Sequence, residues 1–160
     1  MKINSGRFKN SSIEILKNSS FRPTTSLSRK SLFDSLGSLE DKSFLDIFAG
    51  SGIVGFEAAS RGAQKVTFVE MHKKYLNQII FNSKKIEYNK FKFLARDAHR
   101  FIKKCDNYDI IFADPPYQLY ELDAFIENAL KKLKKNGILV IECSSKESLE
   151  GYNKIAKFGE

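Results

Sequence analysis

The sequence predicts an α/β protein built on a doubly wound, mostly parallel sheet of the Rossmann-like kind. Three observations predict it. From Lys42 onward, short β-rich runs alternate with segments of helical periodicity, an order that implies parallel strands with helices on both faces. A glycine-rich turn joins the first of those strands to the helix behind it. Acidic residues (Asp46, Glu70, Asp97 and Asp114) fall at or near the ends of the first four strands, where open sheets of this class bind their ligands.

The first 25 residues read differently from the rest. "KINSGRFKNSSIEIL" has the look of a small hairpin or extended arm, with Ser5-Gly6 or Asn10-Ser11 as turn material. "FRPTT" is extended, because Pro23 disfavours helix at Arg22 before it. Residues 1–25 are therefore expected to pack as an arm on the ligand edge of a single domain spanning 26–160. A helix is predicted over Leu27–Leu36, stopped by Gly37. Strands are predicted over 43–48 ("SFLDIF"), 65–70 ("KVTFVE"), 91–96 ("FKFLAR"), 109–113 ("DIIFA") and 137–143 ("GILVIEC"). "YLNQIIFNSKKI" places Leu76, Ile79, Ile80 and Ser83 on one helical side. "LYELDAFIENALKKL" does the same more strongly with Leu119, Leu122, Phe125, Ile126, Ala129, Leu130 and Leu133, which makes "KKLKK" (131–135) the solvated face of that helix.

Charge and composition narrow the partners. Lys and Arg number 27 against 19 Asp and Glu, a net charge of +8, which favours a polyanion such as nucleic acid. No apolar run approaches the ~20 residues needed to cross a bilayer, so no membrane partner is expected. The opening "MKINSGRFKN" has no apolar core, so no signal peptide is expected. Cys105 and Cys143 lie far apart and predict free thiols in a reducing, cytoplasmic setting. His72 and His99 lack companions at ligand spacing, and no metal is expected; the chain is read as a monomer.

The turn "LDIFAGSGIVGFEAASRGA" carries Gly50, Gly52 and Gly55 in a G-x-G-x-x-G spacing, and Glu70 ends the second strand where a carboxylate can accept from both ribose hydroxyls. Alone, that pattern fits NAD nearly as well as S-adenosylmethionine. Asp46 separates them. A dinucleotide's pyrophosphate is held by amides at a helix N-terminus, and a carboxylate beside that turn repels it. The same carboxylate suits the cationic amine of a methionine moiety. A chain of 160 residues also leaves little room for a second nucleotide half and a dehydrogenase's catalytic region. Asp97, in "LARDAHRF", stands where an adenine contact is expected, or else caps a helix.

"DPPY" (Asp114–Tyr117) ends the fourth strand, beside the reactive end of a bound cofactor. An exocyclic amine on a base is a poor nucleophile because its lone pair is delocalised into the ring. Asp114 and the carbonyl of Pro115 can accept both N–H bonds and localise that pair on nitrogen. Pro115 and Pro116 stiffen the corner by fixing φ and removing amide donors. Tyr117 offers a ring on which an extruded base can stack. Positioning then supplies most of the catalysis, without a metal.

With "SGRFK…RPTT" upstream, "DIFAGSG" and "DPPY" in this order resemble the RsmD family, bacterial methyltransferases that modify a guanine N2 amine of 16S ribosomal RNA. The resemblance implies a Rossmann-like class I methyltransferase fold, S-adenosylmethionine as cofactor and S-adenosylhomocysteine as its product. The partner it implies is 16S ribosomal RNA, free or in an assembling small subunit. By that likeness Asp46, Gly50 and Gly52 line the methionine end with Phe48, Ala49 and Ser51; Glu70 and Met71 lie at the ribose, and Asp97 and Ala98 at the adenine. The "RPTT" segment brings Arg22, Thr24 and Thr25 near cofactor and substrate, and Arg7, Lys9, Arg22 and Arg29 are expected on RNA phosphates. Two departures stand out. After "RPTT" the family carries Asp-Arg-Val-Arg-Glu, whereas this chain has "SLSRK" and keeps only Arg29; and the sequence stops at "KIAKFGE" (154–160), where the family has a further strand, so the last strand is expected to be missing. An N6-adenine DNA methyltransferase shares the chemistry, but no target-recognition region is evident. A non-catalytic RNA-binding protein on a degenerate fold leaves Asp46, Glu70 and Asp114 without a purpose, and a nicotinamide dehydrogenase leaves "DPPY" unexplained.

Overall fold

The computed structural model describes residues 1–19, 23–116 and 121–143. Five strands, β1 (Ser43–Ile47), β2 (Lys65–Val69), β3 (Phe91–Leu94), β4 (Tyr108–Ala113) and β5 (Leu133–Ile141), pair in parallel in the order β3-β2-β1-β4-β5. The chain reverses its direction of winding at β1, which lies between β2 and β4. In sheets of this class the ligand crevice opens there, beyond the strands' carboxyl ends.

Period-two alternation sorts the core into two layers. Phe44, Val66, Phe68, Ile110 and Phe112 pack on one face beneath helices α1 (Ser26–Leu36), α2 (Ile53–Ser60) and α3 (Lys73–Ser83). Leu45, Ile47, Val69, Ile111 and Ala113 face α4 (Ala98–Lys104) and α5 (Leu122–Leu130) on the other. Thr25 caps α1 by accepting the Ser28 N–H, and Gly37 ends it at φ +69°. On α3 the buried side is Tyr75, Leu76, Ile79 and Asn82, so Ile80 and Ser83 of the expected stripe lie beside it.

The largest correction concerns residues 131–135. α5 ends at Leu130, and Leu133, expected on its apolar stripe, begins β5 opposite Tyr108. The register then jumps before Ile110 meets Ile138, with Asn136 at φ +62° within the intervening bulge. Lys134 therefore lies on the bulged strand and donates to Asp109 at 2.9 Å, instead of sitting on a solvated helix face. Three-residue spacing from Leu130 mimicked a helix because Leu133 packs on the same core layer from the strand.

The N-terminal hairpin, bridged at Lys2 and Ser12, was expected on the ligand edge and lies elsewhere. It docks on the carboxyl-terminal half of α2. The Glu57 carboxylate, fully buried, accepts the N–H groups of Asn4 and Ser5 at 2.7 and 3.0 Å. The Ser60 carbonyl accepts from Arg7 at 2.7 Å, and its hydroxyl accepts from Phe8 at 2.9 Å. Gly6 crosses this contact so closely that a Cβ would stand 1.9 Å from the Ser60 oxygen, which explains the glycine of "SGRFK". Ile3, Phe8 and Ile13 join the first core layer, so the hairpin is part of the one hydrophobic core.

Glu57 also pairs with Arg29, itself 1% exposed, at 3.9 Å. Removal of the carboxylate leaves the buried Arg29 guanidinium without its counter-charge and the Asn4 and Ser5 amides without their acceptor. Glu57→Ala should therefore cost about 3 kcal/mol or more in chemical denaturation, and a loss within surface-mutation range would show that the hairpin is anchored by apolar contacts alone.

Candidate active site

Asp46 leaves β1 on the α2 side of the sheet, 1% exposed, and accepts the Gly55 N–H at 2.9 Å. Gly55 is the third residue of α2, so this bond takes up one of the free donors of the helix's first turn. A pyrophosphate would need that donor. Helix and strand can approach this closely because Gly55 has no side chain; a Cβ there would lie 2.3 Å from the Phe68 ring. Between Asp46 and α2 the chain reverses through positive φ at Phe48 (61°), Gly50 (53°) and Gly52 (73°). An aromatic residue in the left-handed region is strained, and such strain concentrates at ligand sites. The Phe48 ring rests 5.3 Å from Phe125 and 6.2 Å from His99.

Glu70 braces this turn to the next loop. Its carboxylate accepts from Gly50 N–H at 2.9 Å and from His72 N–H at 2.8 Å. Each oxygen keeps a lone pair for a further donor. Ala49 is tied to β2 through the Val69 carbonyl at 3.1 Å, and the Ser51 hydroxyl, buried, accepts from Ile53 at 3.3 Å. Met71 stands exposed beside Glu70.

Across the switch point, Asp114 follows β4 on the same face as Asp46, with Pro115 buried and Pro116 exposed. Glu142 follows β5 next to it: its N–H donates to the Ala113 carbonyl at 2.8 Å, and its Oε2 accepts from the Thr24 hydroxyl at 2.9 Å. Burial pushes the Asp114 carboxyl up to about 7, and the Glu142 charge adds to the rise. Burial likewise holds Asp46 well above the usual carboxylate range; the Gly55 N–H opposes this, while Asp114 and Glu70 reinforce it. A positively charged ligand at this edge would relieve the carboxylates.

The other expected residues are distributed as follows. Asp97 caps α4 by accepting the Arg100 N–H at 2.9 Å, and Ala98 is buried in the second core layer. Thr25, exposed, is spent on its helix cap. Arg29 is not on the surface, which corrects its expected RNA contact: its guanidinium donates to the carbonyls of Thr24 at 2.8 Å and Lys2 at 2.9 Å. Arg7 and Lys9 are exposed, but on the hairpin at the far end of α2, roughly 12 Å along that helix from the glycine turn. Tyr117 and Arg22 lie outside the described residues, as does the segment expected to lack a final strand. Glu142 escaped sequence reasoning although it ends its strand as Asp46 and Asp114 end theirs; the strand-end rule, carried to the fifth run, finds it.

Residues 1–159 match the family described as Conserved hypothetical protein 95. The Ribosomal RNA small subunit methyltransferase D of Buchnera aphidicola subsp. Acyrthosiphon pisum is 35% identical over 151 residues, covering 91% of this chain and 78% of that protein. The chain belongs to the RsmD family. Among solved structures, Escherichia coli yhhF superposes on this RsmD-family chain with a TM-score of 0.83 at 27% identity, over 98% of this chain and 92% of that one. A SAM-dependent methyltransferase from Agrobacterium tumefaciens does so with a TM-score of 0.58 at 26% identity, over 64% and 38%. The fold is that of the Rossmann-like methyltransferases. Among the described residues no helix is long and apolar enough to cross a membrane.

The raised proton affinity of Asp114 has a sign that can be checked. The folded protein holds this proton more tightly than the unfolded chain, so stability falls as pH rises from the ordinary carboxylate range through about 7. Asp114→Asn lacks that term. Relative to wild type, the Asn variant should gain stability between about pH 5 and pH 8 in parallel urea titrations. A difference that stays constant with pH would mean that Asp114 titrates as an ordinary surface carboxylate.

Proposed function

We propose that this protein transfers a methyl group from S-adenosylmethionine to the exocyclic N2 amine of a guanine in 16S ribosomal RNA. One observation carries the reading: Asp114, at a corner of two prolines just past β4, lies across the β1/β4 switch point from the glycine turn and close enough for its charge to act on Asp46. The relatives' names point to ribosomal RNA of the small subunit as substrate. When bound, S-adenosylmethionine supplies an electrophilic methyl on a sulfonium. The residues fit it: buried, charge-starved Asp46 suits the ammonium of its methionine end, and the free lone pairs of Glu70 suit ribose hydroxyls.

Asp114 accepts one N2–H bond and the Pro115 carbonyl the other, which turns the nitrogen lone pair toward the methyl. With the methyl donor bound, nitrogen–carbon bond formation and carbon–sulfur cleavage would leave the amine with a proton to lose. The Asp114 carboxylate, with its raised affinity, takes it. Arg7 and Lys9 contact phosphates away from the target base, at the hairpin end of the molecule.

The deciding measurement is mass-spectrometric mapping of ribosomal RNA modifications in cells with and without the gene: one 16S guanine should lose its N2-methyl group. An unchanged map would refute the assignment. In purified protein, Asp46→Ala should weaken S-adenosylmethionine binding at least tenfold, about 1.4 kcal/mol, in calorimetry, while NADH shows no comparable affinity. Asp114→Ala should cut single-turnover methylation by about 100-fold or more, with Asp114→Asn retaining part of the rate through its remaining acceptor oxygen. Full turnover in the Ala variant would reduce "DPPY" to a corner in the chain. Replacing Arg7 and Lys9 together should flatten the salt dependence of RNA binding by about one unit of slope per lost contact, leaving cofactor affinity unchanged; an unaltered slope would assign both to a solvated face.

A further inference from the structure

We propose that Glu142 reads the target base by accepting the guanine N1–H beside the N2 amine held at Asp114, and that Thr24 aims it. This rests on the guanine-N2 reading above and names the residue that would enforce it.

The register makes the two carboxylates neighbours. Ala113 pairs with Ile141, so Asp114 and Glu142 are the next residues on adjacent strands, which in a sheet lie about 4.8 Å apart. Phe112 and Val140 both belong to the first core layer, and one further alternation puts Asp114 and Glu142 on that same face. Glu142 is also held from the side. The Thr24 hydroxyl donates to its Oε2 at 2.9 Å, Thr24 is 7% exposed, and the Thr24 carbonyl is fixed by the Arg29 guanidinium at 2.8 Å. Among the described residues no donor is recorded on Glu142 Oε1. The carboxylate thus has one oxygen clamped by Thr24, beside the group proposed to hold the amine.

Guanine fits that pair of acceptors. Its Watson–Crick edge carries N1–H next to the N2 amine, two donor positions in a row, and extruded bases are read on that edge. Adenine and 2-aminopurine have a bare N1 there, whose lone pair would face a carboxylate. A site built around a substrate N–H rejects an analogue that lacks it by orders of magnitude, because the buried acceptor is left unpaired. Asp114 and the Pro115 carbonyl handle the amine, which 2-aminopurine shares with guanine. Discrimination therefore falls to Glu142.

The test uses small subunits reconstituted with 16S ribosomal RNA carrying either guanine or 2-aminopurine at the nucleotide identified by modification mapping. Wild type should prefer guanine by at least about 100-fold in kcat/KM. In Glu142→Gln the Thr24 hydroxyl holds the amide oxygen, so the amide N–H points at the base and matches a bare N1. The preference should fall at least about tenfold, with 2-aminopurine turnover spared or raised. Thr24→Val keeps shape and carboxylate but releases the aim; it should also narrow the preference, mainly through slower guanine turnover, and it carries the test if the Gln variant fails to fold. A preference unchanged in both variants, with both substrates slowed alike, would overturn the proposal and leave Glu142 a structural residue. Wild type that methylates neither subunit would overturn the underlying guanine-N2 reading, and this inference with it.

Discussion

A buried ion pair that never touches the active edge organises much of this molecule. Glu57 gathers the hairpin through two backbone amides, Arg61 through a 3.0 Å bond, and Arg29 through opposed charge at 3.9 Å. Burial alone would push the Arg29 guanidinium down from its usual value; Glu57 works against that, and the neighbouring Arg61 adds to the lowering. Because Arg29 spends its donors on the Lys2 and Thr24 carbonyls, the same pair fixes the start of the chain and the entry to α1. Thr24 then reaches Glu142, which stands beside Asp114. The hairpin and the Asp114–Glu142 corner are joined by this relay of polar contacts.

Parallel pairing with strict alternation does the rest. Asp46, the penultimate residue of β1, and Glu70, Asp114 and Glu142, each one residue past β2, β4 and β5, stand two residues beyond an apolar residue of the first core layer. No helix or loop had to be shaped to collect them. A chain of net charge +8 thereby carries four carboxylates together at one edge of its sheet.

The strand ends were legible in the sequence because chemistry there is tied to a turn: "DIFAGSG" and "DPPY" each announce a break after an apolar run, and only a carboxyl-terminal edge gathers such breaks. What stayed hidden depended on contacts distant in sequence. Arg29 looked like a surface cation because nothing local marks its partner 28 residues on. The hairpin's seat was unreadable for the same reason, since Glu57 and Ser60 sit inside an ordinary helical pattern. The α5–β5 boundary failed differently: Leu133 satisfies helical spacing and a core strand equally well, and the Asn136-Gly137 pair that marks the bulge reads equally well as the end of a helix.

The Thr24–Glu142 bond makes the two sides of the crevice unequal in what holds them. It closes a span of 118 residues, whereas Glu70 braces the glycine turn across 20. By loop-closure entropy alone, the longer closure costs about 1.5 kcal/mol more. The glycine turn is therefore held by contacts near in sequence. The Asp114–Glu142 side of the crevice depends on the amino-terminal segment and the fifth strand being brought together. Loss of the longer contact would loosen Glu142 and leave the brace between Glu70 and Gly50 intact.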